Sequence, residues 1–206
     1  TIGSCGRSYE CCPADYRSDC NRIFHFGSDY LKPDCSIEAF GERIHKTLKR
    51  YPYLVSEKDG RLAGYAYAGP FKERRAYDWS VETTIYIAKD VRGHGLGKEL
   101  YTALEHALAL QNVINLNACI AYPDPEDEYL TRNSVQFHEH MGYHPAGRFH
   151  KCGYKFDHWY DMVWMEKCIS PHPENPPGIR GFEEIREALA DNLMMRFRRG
   201  ENSDGL

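Results

Sequence analysis

Apolar and polar positions alternate with a period of two over residues 81–87. They then switch to a helical period from residue 96, with glycines between. In Val81-Glu-Thr-Thr-Ile-Tyr-Ile87 nearly every residue is β-branched or aromatic, and alternation puts Glu82, Thr84 and Tyr86 on one face of a strand. Leu96, Leu100, Leu104 and Leu108, with Ala103 and Ala107, recur on one side of a 3.6-residue period, so a buried helix starts at the glycines. Upstream, Ser36 caps a helix predicted to run to about Arg50 with Ile37, Phe40, Ile44 and Leu48 inward. Tyr53-Leu-Val-Ser56, the turn Lys58-Asp-Gly60 and Arg61 to Ala68 read as a β-hairpin. Downstream, Ile114 to Tyr122 alternates again, and a helix is expected from Asn133 to Met141, closed by Gly142. Phe149 to Phe156 and Trp159 to Lys167 are expected to pair across the turn Asp157-His158. Strands alternating with helices imply a three-layer α/β/α sheet.

The two ends read differently. Thr1 to Lys32 shows no period, because Cys11-Cys-Pro13 and scattered Arg, Asp and Asn interrupt it; Ile23-Phe-His-Phe26 reads as a short strand or an aromatic edge. Ser170 to Gly178 is Pro-rich and extended, and Phe182, Ile185, Leu189, Leu193 and Phe197 make a final amphipathic helix. The expected organisation is one domain over residues 1–168, followed by a linker and helical extension over 169–206.

Composition narrows the function classes. A net charge of −4 with no basic stripe argues against a nucleic-acid protein. No apolar run approaches a membrane span, and the first residues lack the charged-then-apolar layout of a signal peptide. The eight cysteines are not spaced in Cys-x-x-Cys pairs, which predicts free thiols in a reducing cytoplasm rather than disulfides or zinc. His138, His140 and His144 do not suggest metal either, since His138-Glu-His140 lacks the spacing of a zinc protease helix.

Chemistry concentrates at Arg92-Gly-His-Gly-Leu-Gly97. Glycines at 93, 95 and 97 let backbone N–H groups turn toward an anion, and the helix that follows points its positive end at the same place. The spacing is not the Gly-x-Gly-x-x-Gly of a dinucleotide fold, and a P-loop would need Gly at 92 and Ser or Thr at 99, where the chain has Arg and Glu.

Arg-x-x-Gly-x-Gly after a strand resembles the acyl-coenzyme A signature of the GNAT superfamily of N-acetyltransferases. Arg50-Tyr-Pro-Tyr-Leu-Val55, Ala66-Tyr-Ala-Gly-Pro70, Ala76-Tyr-Asp-Trp79, Val81-Glu-Thr-Thr-Ile-Tyr86, His138-Glu139, Gly142-Tyr143 and Gly153-Tyr-Lys155 are similar in order and spacing to its phosphinothricin acetyltransferase branch. The resemblance implies a GNAT fold, with a mixed central sheet splayed where the pantetheine arm of acetyl-CoA lies. It implies cofactor contacts by Ile85, Tyr86 and Ile87 on the strand, by Arg92, Gly93, His94, Gly95, Leu96, Gly97 and Lys98 on the loop, and by Thr131, Asn133, Ser134 and Phe137 downstream. The chain departs from the family's Asn contact, since Thr131 stands there and Asn133 lies next to the serine.

Acetyl transfer to an amine needs a base, donors for the oxyanion and a route for the leaving thiolate. Glu82 stands where the family's general base stands, and an amide near Ile85 or Ile87 is the expected oxyanion donor. His138 occupies the position of the group that protonates the departing sulfur in the family; a satisfied helix histidine is the competing reading. Arg74, Arg75 and Tyr77 fall where the branch places acceptor contacts, and Tyr160 where its herbicide-detoxifying members have His. These residues imply direct transfer from acetyl-CoA to a small amino-acid-like amine. Polyamine, antibiotic or protein N-terminal acetylation, or an acyl-CoA sensor, are the alternatives. A homodimer is expected from the aromatic stretch Trp159 to Trp164 and the apolar stripe of the last helix.

Overall fold

The computed structural model describes residues 37–58 and 61–190. Helix α1 (Ile37–Leu48) leads into strands β1 (Tyr53–Lys58), β2 (Arg61–Pro70) and β3 (Ser80–Ile87), with 3₁₀ turns at Arg75–Tyr77 before β3 and at Lys89–Val91 after it. Helix α2 (Leu96–Leu110), strand β4 (Asn115–Tyr122), helix α3 (Asn133–His140), strands β5 (His144–Lys155) and β6 (His158–Cys168) and a helix α4 over 182–190 complete the order. The six strands lie in the order β1-β2-β3-β4-β6-β5, and β3–β4 is the parallel pair in an otherwise antiparallel sheet.

Alternation along the strands sorts side chains to two layers. Leu54, Ala66, Ala68, Val81, Leu116 and Met165 face α2, α3 and α4, while Tyr53 and Tyr65 face α1 through Ile44, Phe40 and Leu48. α2 buries Leu96, Leu100, Tyr101, Ala103, Leu104, Ala107 and Leu108, the stripe its period demands.

Two expectations change. Phe182, Ile185 and Leu189 are buried in the same core as α2, so the described part of the last helix's stripe is covered within the chain. The incoming segment is strapped down by side-chain N–H groups: Trp79 Nε1 donates to the Pro177 carbonyl at 2.7 Å, Asn112 Nδ2 to Gly178 at 2.8 Å and Gln111 Nε2 to Arg180 at 2.8 Å. The β5–β6 turn also differs, being formed by Phe156 and Asp157 at φ 51° and 59°, with β5 reaching back to His144. The expectations for residues 1–32, for the hairpin turn at 59–60 and for Leu193 and Phe197 lie outside the described residues.

Candidate active site

The parallel ladder between β3 and β4 is short. Ser80, Val81 and Glu82 pair with Asn115, Leu116 and Asn117, and pairing stops there although β3 runs on to Ile87 and β4 to Tyr122. The Ala88 N–H donates to the Ala63 carbonyl and the Ser80 carbonyl accepts from Phe71, so even-numbered residues of β3 turn their backbone groups toward β2. By alternation Ile85 and Ile87 turn theirs toward β4, where the ladder has ended. This gap opens into a cleft of about 1030 Å³. Of the expected cofactor residues, Ile85, Tyr86, Ile87 and Arg92 line one side of it and Thr131, Asn133 and Ser134 the other.

The glycine loop closes one end of β3. Gly93 and Gly95 both have φ of 82°, a left-handed value that favours glycine, and a Cβ at either would meet nothing within 4 Å. Conformation, rather than crowding, requires them. At Gly97 a Cβ would make ordinary contacts, 3.4 Å from the Phe137 ring and 3.5 Å from Ile87, so α2 packs there against β3 and α3 without the position demanding glycine. Arg92 Nε donates to the Ile87 carbonyl at 3.0 Å and His94 Nδ1 to the Arg92 carbonyl at 2.9 Å, fixing the loop against the strand end. Lys98 is exposed on the first turn of α2, whereas the Leu96 side chain is buried in the core.

Glu82 is half-buried on the face opposite α2, at the last paired position before the gap. Burial pushes its carboxyl above the usual range, and the positive charge of Lys72 works against that rise. Lys72 lies over the Phe71 ring at 4.9 Å and the Trp164 ring at 6.0 Å, and these two rings meet edge to face at 5.5 Å. Cys119 lies two residues beyond Asn117 on the same face, and its thiol is pushed up to about 11, by burial first and then by the nearby Glu82 charge. Sequence reasoning singled out neither Lys72 nor Cys119. Lys72 sits in a loop without periodicity, and only its place beside Gly69-Pro70 marks it.

His138 is separated from Glu82. It is 4% exposed and belongs to the α2–α3 side of the sheet. Its Nδ1 lies 2.7 Å from the Ser134 carbonyl, which only accepts, so Nδ1 carries the proton. Burial lowers its pKa and keeps the ring neutral, so Nε2 accepts from the Tyr101 hydroxyl at 3.1 Å. The Tyr101 oxygen is 2.6 Å from Thr83 Oγ1, and Thr83 Oγ1 is 3.2 Å from both the Tyr143 hydroxyl and the Asn117 carbonyl. This buried network ties α2 and α3 to β3 and β4 one residue beyond Glu82.

The expected acceptor residues divide. Arg74, Arg75 and Tyr77 are exposed around the 3₁₀ turn, and Tyr77 meets Phe71 edge to face at 6.1 Å, which brings the Tyr77 ring beside the residue that Lys72 covers. Tyr160 is 7% exposed and donates its hydroxyl to Asp127 Oδ2 at 2.6 Å, so that group is already engaged. Among the described residues no group of three or more His, Cys, Asp or Glu side chains is placed to hold a metal ion, and no helix is long and apolar enough to cross a membrane.

Comparison with known proteins places this geometry. Residues 18–164 match the family model described as acetyltransferase (GNAT) domain. A phosphinothricin N-acetyltransferase of Streptomyces viridochromogenes is 41% identical over 135 residues, 65% of this chain and 69% of that protein. An L-methionine sulfoximine/L-methionine sulfone acetyltransferase of Pseudomonas paraeruginosa is 30% identical over 127 residues, 61% of this chain and 70% of that protein. In fold, the chain is similar to a GNAT superfamily phosphinothricin acetyltransferase from Sinorhizobium meliloti, solved in complex with AcCoA. The TM-score is 0.69 at 23% identity, covering 84% of this chain and 96% of that one.

Proposed function

Because the chain belongs to the GNAT acetyltransferase family and is an acetyl-CoA-dependent N-acetyltransferase, we propose that it acetylates the α-amine of a small amino-acid-like acceptor, with Glu82 as general base. The observation that carries this reading is the parting of β3 from β4 immediately beyond Glu82. The carboxylate stands at the mouth of the gap that the cosubstrate would fill.

The residues present fit acetyl-CoA. The left-handed glycines at 93 and 95 and the start of α2 offer amides to its pyrophosphate. The Ile85 and Ile87 amides offer donors to its pantetheine arm, with Thr131, Asn133 and Ser134 across the cleft. Bound there, it supplies an activated acetyl thioester. The chain's own part is to take the ammonium proton of the acceptor, and Glu82 does this from the opposite side of the sheet to His138. His138 enters as the satisfied helix histidine of the two readings, a proton acceptor that holds Tyr101 and Thr83 in place rather than the acid that the family position implies, because its one proton is committed to Ser134. Cys119 lies beside Glu82, yet a thiol pushed up to about 11 is a poor acyl carrier at neutral pH, which supports direct transfer.

The acceptor follows from charge. The Lys72 charge acts at Glu82, and Arg74 and Arg75 follow it on the same exposed loop; these cations favour a carboxylate over the second cation of a polyamine. The relatives named above act on phosphinothricin and on methionine sulfoximine or sulfone, which are compounds of this kind. An assay of thioester cleavage with a panel of amines tests the reading: turnover with amino acids bearing a free carboxylate, exceeding that with their amides or with polyamines, is expected. Equal turnover with polyamines would contradict it.

Burial sets the direction of the Glu82 shift, and Lys72 opposes it. Glu82 acts deprotonated, so kcat/KM falls as pH drops through its pKa. Lys72→Met removes the charge that lowers this pKa and should move the acid limb to higher pH. An unmoved limb in the pH profile would separate Lys72 from the base.

The described surface supports a homodimer through the sheet edge rather than through the buried stretch 182–190 of the last helix. β5 is the edge strand of the sheet, and Phe149 and Trp159 of the β5–β6 hairpin are 54% and 61% exposed. Sedimentation at micromolar concentration should give twice the chain mass, and a single species at the 23.8 kDa of one chain would refute the dimer. The free thiols of Cys119, Cys152 and Cys168 suit a cytoplasmic setting.

A further inference from the structure

The segment 123–132 between β4 and α3 supplies one wall of the cleft: Glu128, Tyr129, Leu130 and Thr131 line it, continuing into Asn133 and Ser134. It has no regular secondary structure, so its position depends on what it is tied to. Its first half is held by Asp124, which takes Arg132 and Arg148 at 2.8 Å each; both guanidinium groups lie on the Tyr122 ring, at 4.9 and 4.4 Å.

In the second half Glu126 Oε1 accepts the backbone N–H of Arg132 at 2.6 Å, and Asp127 holds residues 129 and 130. Asp127 Oδ1 accepts the backbone N–H groups of Tyr129 and Leu130 at 2.8 and 2.7 Å, and Asp127 Oδ2 accepts the Tyr160 hydroxyl at 2.6 Å. Beside it the Tyr129 ring stacks on Phe156 at 4.7 Å and 17°. Phe156 and Tyr160 both belong to the tip of the β5–β6 hairpin. The backbone of the cleft wall and the hairpin tip therefore meet at Asp127. A hydroxyl donated to a carboxylate is among the stronger hydrogen bonds available to a side chain, and it is partly shielded here by the Tyr160 side chain.

We infer that Tyr160 is a positioning residue for acetyl-CoA: through Asp127 it holds the wall at 128–134 at the width that the cosubstrate needs. This rests on the reading that the cleft takes acetyl-CoA. It gives Tyr160 a task remote from the acceptor, at the position where sequence alone suggested an acceptor contact. Removing the hydroxyl leaves the ring in place and frees one Asp127 oxygen, so the loop loosens while the hairpin stays packed.

Tyr160→Phe tests it with two readouts. Calorimetry with coenzyme A should show affinity about tenfold weaker, the scale of a lost hydrogen bond to a charged group. Steady-state assays should show the KM for acetyl-CoA rising in proportion, with kcat at saturation within about twofold and the acceptor KM unchanged. Tyr160→His, which keeps an N–H donor, should recover part of the loss. Combining Tyr160→Phe with Asp127→Asn should weaken binding no further than the more affected single variant, because both break one contact. Unchanged coenzyme A affinity in Tyr160→Phe, with or without a lower melting temperature, overturns the inference, as does a raised acceptor KM alone. Wild-type protein that binds no coenzyme A overturns the cleft reading itself, and this inference with it.

Discussion

Glu82→Gln is expected to lower kcat by ~10²–10⁴ while leaving acetyl-CoA affinity within about twofold, the range that loss of a general base produces. The amide is nearly isosteric and keeps the half-buried volume at the splay point, where Glu82 pairs with Gly69 on β2 and with Asn117 on β4. What it loses is the ability to take a proton. The cleft residues are separate, since Glu82 is not among those lining it, so cosubstrate binding should persist. Calorimetry and single-turnover kinetics on the same preparation check both halves. A variant with near-normal turnover would move the base elsewhere, with Asp78 next in line, although that carboxylate is already paired with Arg50 at 2.8 Å.

Gly95→Glu should weaken coenzyme A binding by at least about 10²-fold. Like charges some 4 Å apart repel by roughly 4 kcal/mol at a dielectric of about 20. The new side chain has room, since nothing lies within 4 Å of a Cβ there, and a carboxylate at a helix start favours the helix. The φ of 82° brings a backbone cost for any L-residue of roughly 1–2 kcal/mol. Gly95→Ala carries that cost without the charge and is the control: its affinity should fall less than tenfold. Circular dichroism should match wild type for both. Equal losses in Ala and Glu would mean that backbone conformation, and not anion binding, is what the glycine serves.

Much of the site was legible because it is local. The run from Val81 to Leu108 declares strand, turn and helix through period and glycine placement within 28 consecutive residues. Where contacts come from distant parts of the chain, pattern fails. The stripe Phe182, Ile185, Leu189 shows that a face is buried but not against what, and the straps from Trp79, Gln111 and Asn112 that deliver it to its own core leave no trace in the local sequence. The start of β5 was missed because Pro145 and Gly147 depress strand propensity; an edge strand tolerates both, and the register shifts beside them. His138 was placed correctly on its helix, but its chemistry depends on a carbonyl one turn back and on Tyr101 of another helix. Tyr160 was read by alignment to a family position, whereas its hydroxyl partner lies 33 residues earlier in the acidic loop.

Amide hydrogen exchange of the protein with and without coenzyme A tests the central claim most directly, because that claim is where the cosubstrate lies. Slower exchange is expected at residues 85–97 and 128–134, the two sides of the splayed cleft, with little change in β1 or the β5 edge. Protection that spares residues 85–97, or that falls on the β5 edge instead, would contradict the account.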